Sequence, residues 1–309
     1  MKNYERIFKS FFDEAHKVII GQDEMMEQIL ASMLCDANAL LEGYPGLAKT
    51  LAVRTIADLM EMKFSRIQNT PDLMPSDITG TYIIDETDGH RQFKFQQGPI
   101  FANIVLADEI NRATPKTQSA LLEAMQEKQV TVGNTTFKLE EPFFVLATQN
   151  PIEQEGTYPL PEAQADRFLL KIKVDYPSME EELRIVDSYT GERQIPQLPV
   201  VMDKKTLIAL QNLTRRVPIA NDLKQKIVKL VSATRRGGSL IEYGASPRAS
   251  IGLILASKAR ALILGRNHVS SEDIVRMAYP VLRHRLILNF EAERKGITTD
   301  DAITELLSK

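Results

Sequence analysis

The sequence predicts an α/β fold followed by a small all-α domain, and three observations carry that reading. Strand-like and helical runs alternate through the first half of the chain. A loop rich in Gly and Pro and ending in Lys-Thr lies between one such strand and the helix after it. From Asp203 onward helical periodicity dominates.

Five apolar runs read as strands, at 38–41, 64–68, 103–107, 143–148 and 168–173. Continuous apolar character of the kind seen at 103–107 suits a strand covered on both faces of a parallel sheet. Helical patterns lie between them around 24–34, 48–61 and 115–127, the last entered through Thr114 with Pro115 at its first position. Two stretches interrupt the alternation. Residues 82–84 and 92–95, around an Asp88-Gly89 turn, predict one hairpin, and 129–132 with 135–138 around Gly133-Asn134 predict another. Such inserts are either decoration or working parts. Residues 192–201, with Pro196 and Pro199, read as a linker. Beyond it helices are expected at 207–216, 222–233, 250–264 and 271–285. The last of these opens with Ser271-Glu272-Asp273 behind a Ser cap, acidic where the helix macrodipole favours it.

The loop itself is Gly43-Tyr44-Pro45-Gly46-Leu47-Ala48-Lys49-Thr50. Strand, tight loop and helix form the setting of a phosphate-binding loop, in which backbone N–H groups and the positive helix end face the phosphates. Lys49 supplies a point charge to the outer phosphates, and Thr50 offers a hydroxyl to Mg²⁺. Ala48 stands where glycine is usual, which is tolerable if that residue takes helical backbone angles. Downstream, the strand at 103–107 ends in Asp108-Glu109. Asp108 is placed to reach Mg²⁺ beside the loop, and Glu109 to orient or deprotonate a water that attacks the γ-phosphate of ATP. Two solvated acids at a strand end would be the bland alternative; the loop upstream favours the active site.

At 309 residues the chain has room for one large or two medium domains. A nucleotide-binding domain is expected over 1–177, a linker and the start of the second domain over 178–202, and a small all-α domain over 203–309. The net charge of −3 gives no basic field that would favour nucleic acid or a membrane surface. Cys35 is the single cysteine, which excludes an internal disulfide and suits a reducing compartment. With no apolar signal-peptide core near the start and no apolar stretch long enough to span a bilayer, a cytoplasmic protein without membrane insertion is expected.

With these blocks in place the chain resembles the MoxR family of AAA+ ATPases along nearly its whole length. The resemblance rests on ordered segments: 18–22, 43–50, 68–80, 98–101, 106–113, 147–151, 160–168 and 244–249. It implies an AAA+ nucleotide domain followed by a helical lid, assembled as a homo-oligomeric ring, usually a hexamer, with ATP and Mg²⁺ as cofactors. Asn150 matches the sensor 1 position, Arg167 the arginine finger that acts on a neighbour's nucleotide, and Arg248 the sensor 2 position on the lid, where closure can bring it to the phosphates. Gly21 and Gln22 match the segment lining the adenine pocket. Plainer readings exist for each: an Asn-Pro turn at Asn150, a solvated ion pair at Arg167, a helix entry at Arg248. Arg112, Arg235, Arg236 and His284 fall in family-like blocks without an assigned role. The two hairpins match inserts that face the central channel of related rings.

The function implied is a chaperone-like ATPase that remodels or matures a protein client, with von Willebrand factor A domain proteins the usual partners of the family. A ring-shaped nucleic-acid motor is the alternative, opposed by the acidic charge and the lack of a Lys/Arg stripe. A nucleotide-gated scaffold is opposed by Glu109, which a dead site would be expected to lose.

Overall fold

The computed structural model describes residues 2–87, 90–152, 157–191, 196–235 and 240–308. The first part runs α1 (Lys2–Ala15), α2 (Asp23–Leu34), β1 (Ala39–Gly43), α3 (Lys49–Leu59), β2 (Phe64–Gln68), α4 (Pro75–Thr79), β3 (Gly80–Thr87), β4 (His90–Gln97) and β5 (Ile104–Asp108). After a 3-10 turn at Ile110–Arg112 come α5 (Pro115–Glu127), β6 (Gln129–Val132), β7 (Thr135–Lys138), β8 (Phe144–Gln149), α6 (Glu162–Ala165) and β9 (Leu170–Val174). The remainder is α7 (Met179–Thr190), α8 (Lys204–Arg216), α9 (Asn221–Ala233), β10 (Ile241–Tyr243), α10 (Pro247–Ile263), α11 (Ser271–Leu282), β11 (Ile287–Leu288), α12 (Phe290–Arg294) and α13 (Thr299–Ser308).

Five strands form one sheet in the order β2-β5-β8-β1-β9, with every pairing parallel. The apolar runs are continuous because side chains alternate faces and both faces are covered. Ile104 and Leu106 of β5, Phe144 and Leu146 of β8, and Ala39 and Leu41 of β1 join the core beneath α1, α2 and α3. Their neighbours Val105, Ala107, Val145, Ala147 and Leu40 join a second core with Leu121, Leu122 and Met125 of α5. The result is a three-layer α/β unit with every strand C-terminus at one edge.

Both hairpins form, β3 with β4 and β6 with β7. The Asp88-Gly89 turn lies outside the described residues, as do Arg236 and residues 192–195 of the expected linker. Phe95 of β4 stacks on Phe137 of β7 at 4.2 Å between centroids, and Tyr82 Oη donates to Thr135 Oγ1 at 3.3 Å. The two inserts are therefore joined into one aromatic-centred unit.

Three features depart from the expected layout. The N-terminal helix α1 buries Phe8, Phe11 and Ala15, a helix-spaced apolar face overlooked in the pattern. Residues 178–202, expected as linker and start of the lid, contain the helix α7, opened by a Ser178–Glu181 capping box. The lid is not wholly helical: β10 and β11 form a short antiparallel ladder. The lid does not stand apart from the sheet. Leu207, Leu253, Met277 and Val281 lie in the same continuous core as Leu170 and Ile172 of β9. Among the described residues no helix is long and apolar enough to cross a membrane.

Candidate nucleotide site

The phosphate loop leaves β1 where the strand is pressed against β9. A Cβ on Gly43 would lie 2.7 Å from the Val174 carbonyl oxygen, so only glycine passes there. Gly46 then takes φ +85°, with open space where a side chain would stand. Ala48, expected in a helical conformation, instead adopts the left-handed one, φ 56° and ψ 16°, as the N-cap of α3. That corrects the sequence-based reading. The loop must turn its N–H groups inward before α3 begins, and the turn is made at Ala48 at a strain cost of about 1–2 kcal/mol.

Around this loop lies a cleft of about 420 Å³ lined by Gly43, Pro45 to Leu51, Arg66, Gln68, Asp108, Glu109 and Thr148 to Asn150. Tyr44 is turned outward and stacks on Tyr176 at 5.4 Å. Lys49 Nζ donates to the carbonyls of Gly43 at 2.6 Å and Tyr44 at 2.7 Å. Burial pulls the Lys49 ammonium below the usual lysine range, against the opposing pull of Asp108 and Glu109.

The acidic end of β5 is held by its two neighbouring strands, β2 and β8. Asp108 Oδ1 accepts from Thr148 Oγ1 at 2.5 Å, and Oδ2 accepts from Arg66 Nε at 3.0 Å and Nη2 at 2.5 Å. Glu109 is also left-handed, φ 54° and ψ 54°, and its N–H donates to Thr148 Oγ1 at 2.8 Å. Its Oε2 accepts from Arg112 Nη1 at 2.8 Å and Gln68 Nε2 at 3.3 Å. Strained residues of this kind gather where function over-determines the backbone. Asn150 lines the cleft beyond β8, and its Oδ1 accepts the Ile152 N–H at 3.1 Å, so a turn role and a cleft position coexist.

A second cleft of about 350 Å³ adjoins the first, sharing Gly46, Leu47, Ala48 and Leu51. It is walled by Val18, Ile19, Ile20, Gln22 and Pro177, with Ile185 and Tyr189 of α7. Its apolar walls suit a flat base. Gln22 is left-handed, φ 62° and ψ 26°, and donates to the Asp175 carbonyl at 2.9 Å. Gly21 is absent from the lining and sits against the Glu181 carboxyl. A still larger cleft of about 520 Å³ lies elsewhere, between α1, α2, α10 and α11, and holds none of these groups.

Neither Arg167 nor Arg248 lines the phosphate cleft. Arg167 is exposed in a separate cleft with Glu123, Gln126 and Gln164, its Nη1 donating to the Leu122 carbonyl at 3.4 Å. Arg248, at the start of α10, reaches Asp166 Oδ2 at 3.5 Å. Ser246 Oγ donates to the same oxygen at 3.1 Å, and the buried Arg285 donates to Asp166 Oδ1 at 2.7 Å. Of the residues left without a role, Arg112 pairs with Glu109, Arg235 donates to the Ala245 carbonyl at 2.6 Å, and His284 donates to the Phe168 carbonyl at 3.0 Å. Burial holds the His284 imidazole well below its usual range, so it is neutral packing.

Sequence reasoning missed Arg66, Gln68, Thr148 and the α7 wall. A period-2 signal was present for two of them, since Arg66 and Gln68 share one face of β2, and Gln68 is in register with Asp108. As for a metal, Thr50 and Asp108 line one cleft and present oxygen donors of the hard type Mg²⁺ takes. Among the described residues no group of three or more His, Cys, Asp or Glu gathers as a metal site. A metal ion resting on two protein oxygens and otherwise on phosphate and water fits Mg²⁺.

The model of the ATPase family associated with various cellular activities (AAA) matches residues 38–170, and that of the AAA lid domain matches 234–306. The chain is 46% identical to Chaperone MoxR1 of Mycobacterium tuberculosis, over 95% of its own length and 79% of the relative's. It is 29% identical to the protein MoxR of Paracoccus denitrificans, over 91% and 89%. Among solved structures it superposes on a candidate ATPase from Cytophaga hutchinsonii with a TM-score of 0.93 and 46% identity, over 99% and 95% of the two chains.

Proposed function

Because the chain belongs to the MoxR family of AAA+ ATPases, we propose that it hydrolyses Mg²⁺-bound ATP within a closed ring of its own copies, a hexamer by resemblance, and that the cycle remodels a client protein. One observation carries the ring: Arg167 does not line the chain's own phosphate cleft and donates instead to the Leu122 carbonyl at 3.4 Å. An arginine with a role in hydrolysis but no access to its own nucleotide is one offered to a neighbour, while Arg248 is the one that lid closure can bring to the phosphates. The outer wall of the base cleft agrees. Helix α7 has no buried residue and exposes Met179, Leu183 and Val186 at helical spacing, an apolar stripe suited to cover by another subunit.

In this reading the loop N–H groups and Lys49 hold the phosphates, Lys49 exchanging two carbonyl contacts for phosphate oxygens. Thr50 and Asp108 hold Mg²⁺, which supplies neutralisation of charge developing on the phosphoryl group. Glu109 orients or deprotonates the attacking water and Asn150 helps hold it; the neighbour's Arg167 stabilises the transition-state charge. The joined hairpins expose Ile84 and Phe93, cross-strand partners, as an apolar contact for the client. Of their described cations, Lys94 pairs with Asp85 at 3.2 Å and Arg91 with Glu86 at 3.7 Å, which leaves less positive charge for a phosphate backbone. The Mycobacterium relative is named a chaperone, and a von Willebrand factor A domain protein is the partner class the family resemblance points to.

Subunit mixing tests the reading. Lys49→Ala subunits lose nucleotide but present Arg167, while Arg167→Ala subunits hold nucleotide without a finger. Each alone is expected to be inactive, and mixed rings to recover part of the ATPase activity. Full activity of Arg167→Ala alone would refute the assignment.

A further inference from the structure

Asp108 is already neutralised by a cation of the chain itself. Arg66 approaches its Oδ2 through both Nε and Nη2, at 3.0 and 2.5 Å, and the same Nη2 donates to Gln68 Oε1 at 2.5 Å. The Asp108 side chain is largely buried, that of Arg66 is about half exposed, and both line the phosphate cleft. The cleft lining carries two cations, Lys49 and Arg66, against two carboxylates, Asp108 and Glu109. A metal ion at Asp108 and a guanidinium on Oδ2 would place two cations on one carboxylate, which Coulomb repulsion in a partly buried site opposes.

We propose that Arg66 is the resident counter-ion of Asp108 and competes there with Mg²⁺, so that metal loading requires the guanidinium to leave the carboxylate. The proposal rests on the reading of this cleft as a metal–nucleotide site. It has two consequences of the same sign. Arg66 weakens the hold of the nucleotide complex on Mg²⁺, and it shields entering phosphates from Asp108 before a metal arrives. Both make nucleotide affinity less dependent on metal than the bare donor set would be.

The experiment is equilibrium binding of a fluorescent ADP derivative in saturating Mg²⁺ and in EDTA, for the parental chain, Arg66→Gln and Arg66→Lys. The ratio of dissociation constants, EDTA over Mg²⁺, is expected to rise about tenfold or more in Arg66→Gln, the size of one charge-assisted hydrogen bond. Arg66→Lys keeps the charge but not the fork, and is expected to rise less. It also keeps the test open should the glutamine variant fail to fold. A purely structural ion pair would lower thermal stability equally with and without Mg²⁺ and leave the ratio unchanged; an unchanged or smaller ratio in both variants overturns the proposal. Failure of the parental chain to bind the probe would overturn the nucleotide reading itself and this proposal with it.

Discussion

The hydroxyl of Thr148 donates to Asp108 Oδ1 at 2.5 Å, and its own oxygen accepts the N–H of the next residue, Glu109, at 2.8 Å. One side chain on β8 thus fastens both acidic residues at the end of β5 and helps hold Glu109 in its left-handed conformation. Thr148 is buried, so water cannot take over either bond. Thr148→Val keeps the shape and leaves the Glu109 N–H without an acceptor. A loss of about 1–3 kcal/mol is expected, the cost of an orphaned buried polar group. A denaturant midpoint equal to the parental one would show that the hydroxyl holds nothing.

Glu109→Gln preserves size and the contacts that an amide oxygen can still accept from Gln68 and Arg112. Nucleotide binding is expected to persist while hydrolysis slows by about 10²–10⁴-fold, the usual contribution of a positioned base. Single-turnover hydrolysis at the parental rate would move the base elsewhere.

Ala48→Gly is expected to stabilise the chain. The left-handed Ala48 stores about 1–2 kcal/mol that glycine does not, partly offset by about 0.5–1 kcal/mol of extra entropy in the unfolded glycine chain. A net gain of several tenths of a kcal/mol raises the melting temperature of the nucleotide-free protein. A lower melting temperature would mean that the alanine methyl is packed to advantage.

The lid holds a buried charge cluster that sets an acid limit. Burial alone would raise the Asp273 carboxyl, but hydrogen bonds from Arg266, the Ser270 N–H and Arg260 outweigh it and hold the group below the usual carboxylate range. A depressed folded value gives stability that is full above the unfolded pKa and lost as pH falls through the folded one. The lid is therefore expected to keep this contribution down to about pH 4 and lose it below. Asp273→Asn removes the 2.8 Å partner of Arg260, which keeps Glu27 at 3.0 Å and Glu272 at 3.4 Å, and is expected to cost about 1–3 kcal/mol at neutral pH. Melting curves of both proteins at neutral and acid pH check this: the parental curve should fall toward the variant's on acidification. Parallel curves would contradict it.

The parts legible in the sequence are those fixed by near neighbours along the chain. Strand runs appeared because a two-sided core removes polar residues from consecutive positions, as at 104–107. The phosphate loop appeared because its geometry depends on adjacent residues, although the left-handed turn at Ala48 was misjudged for want of the path into α3. Helix α7 carried local signals, a capping box and an apolar stripe at Met179, Leu183 and Val186, but none of its residues is buried and the stripe faces outward.

The rest was decided by contacts between positions far apart in the chain. Arg66 meets Asp108 across 42 residues, Arg248 meets Asp166 across 82, and Arg285 meets Asp166 across 119. Backbone pattern carries no record of which arginine will face which carboxylate, because charge pairing follows from strand order and lid docking rather than from spacing. The sequence alone pointed to a phosphate loop and, through the family resemblance, to two candidate arginines. Tertiary packing determined that Arg66 occupies the carboxylate and that Arg167 and Arg248 lie outside the chain's own cleft, because only the folded sheet and lid bring those charges within reach of their partners.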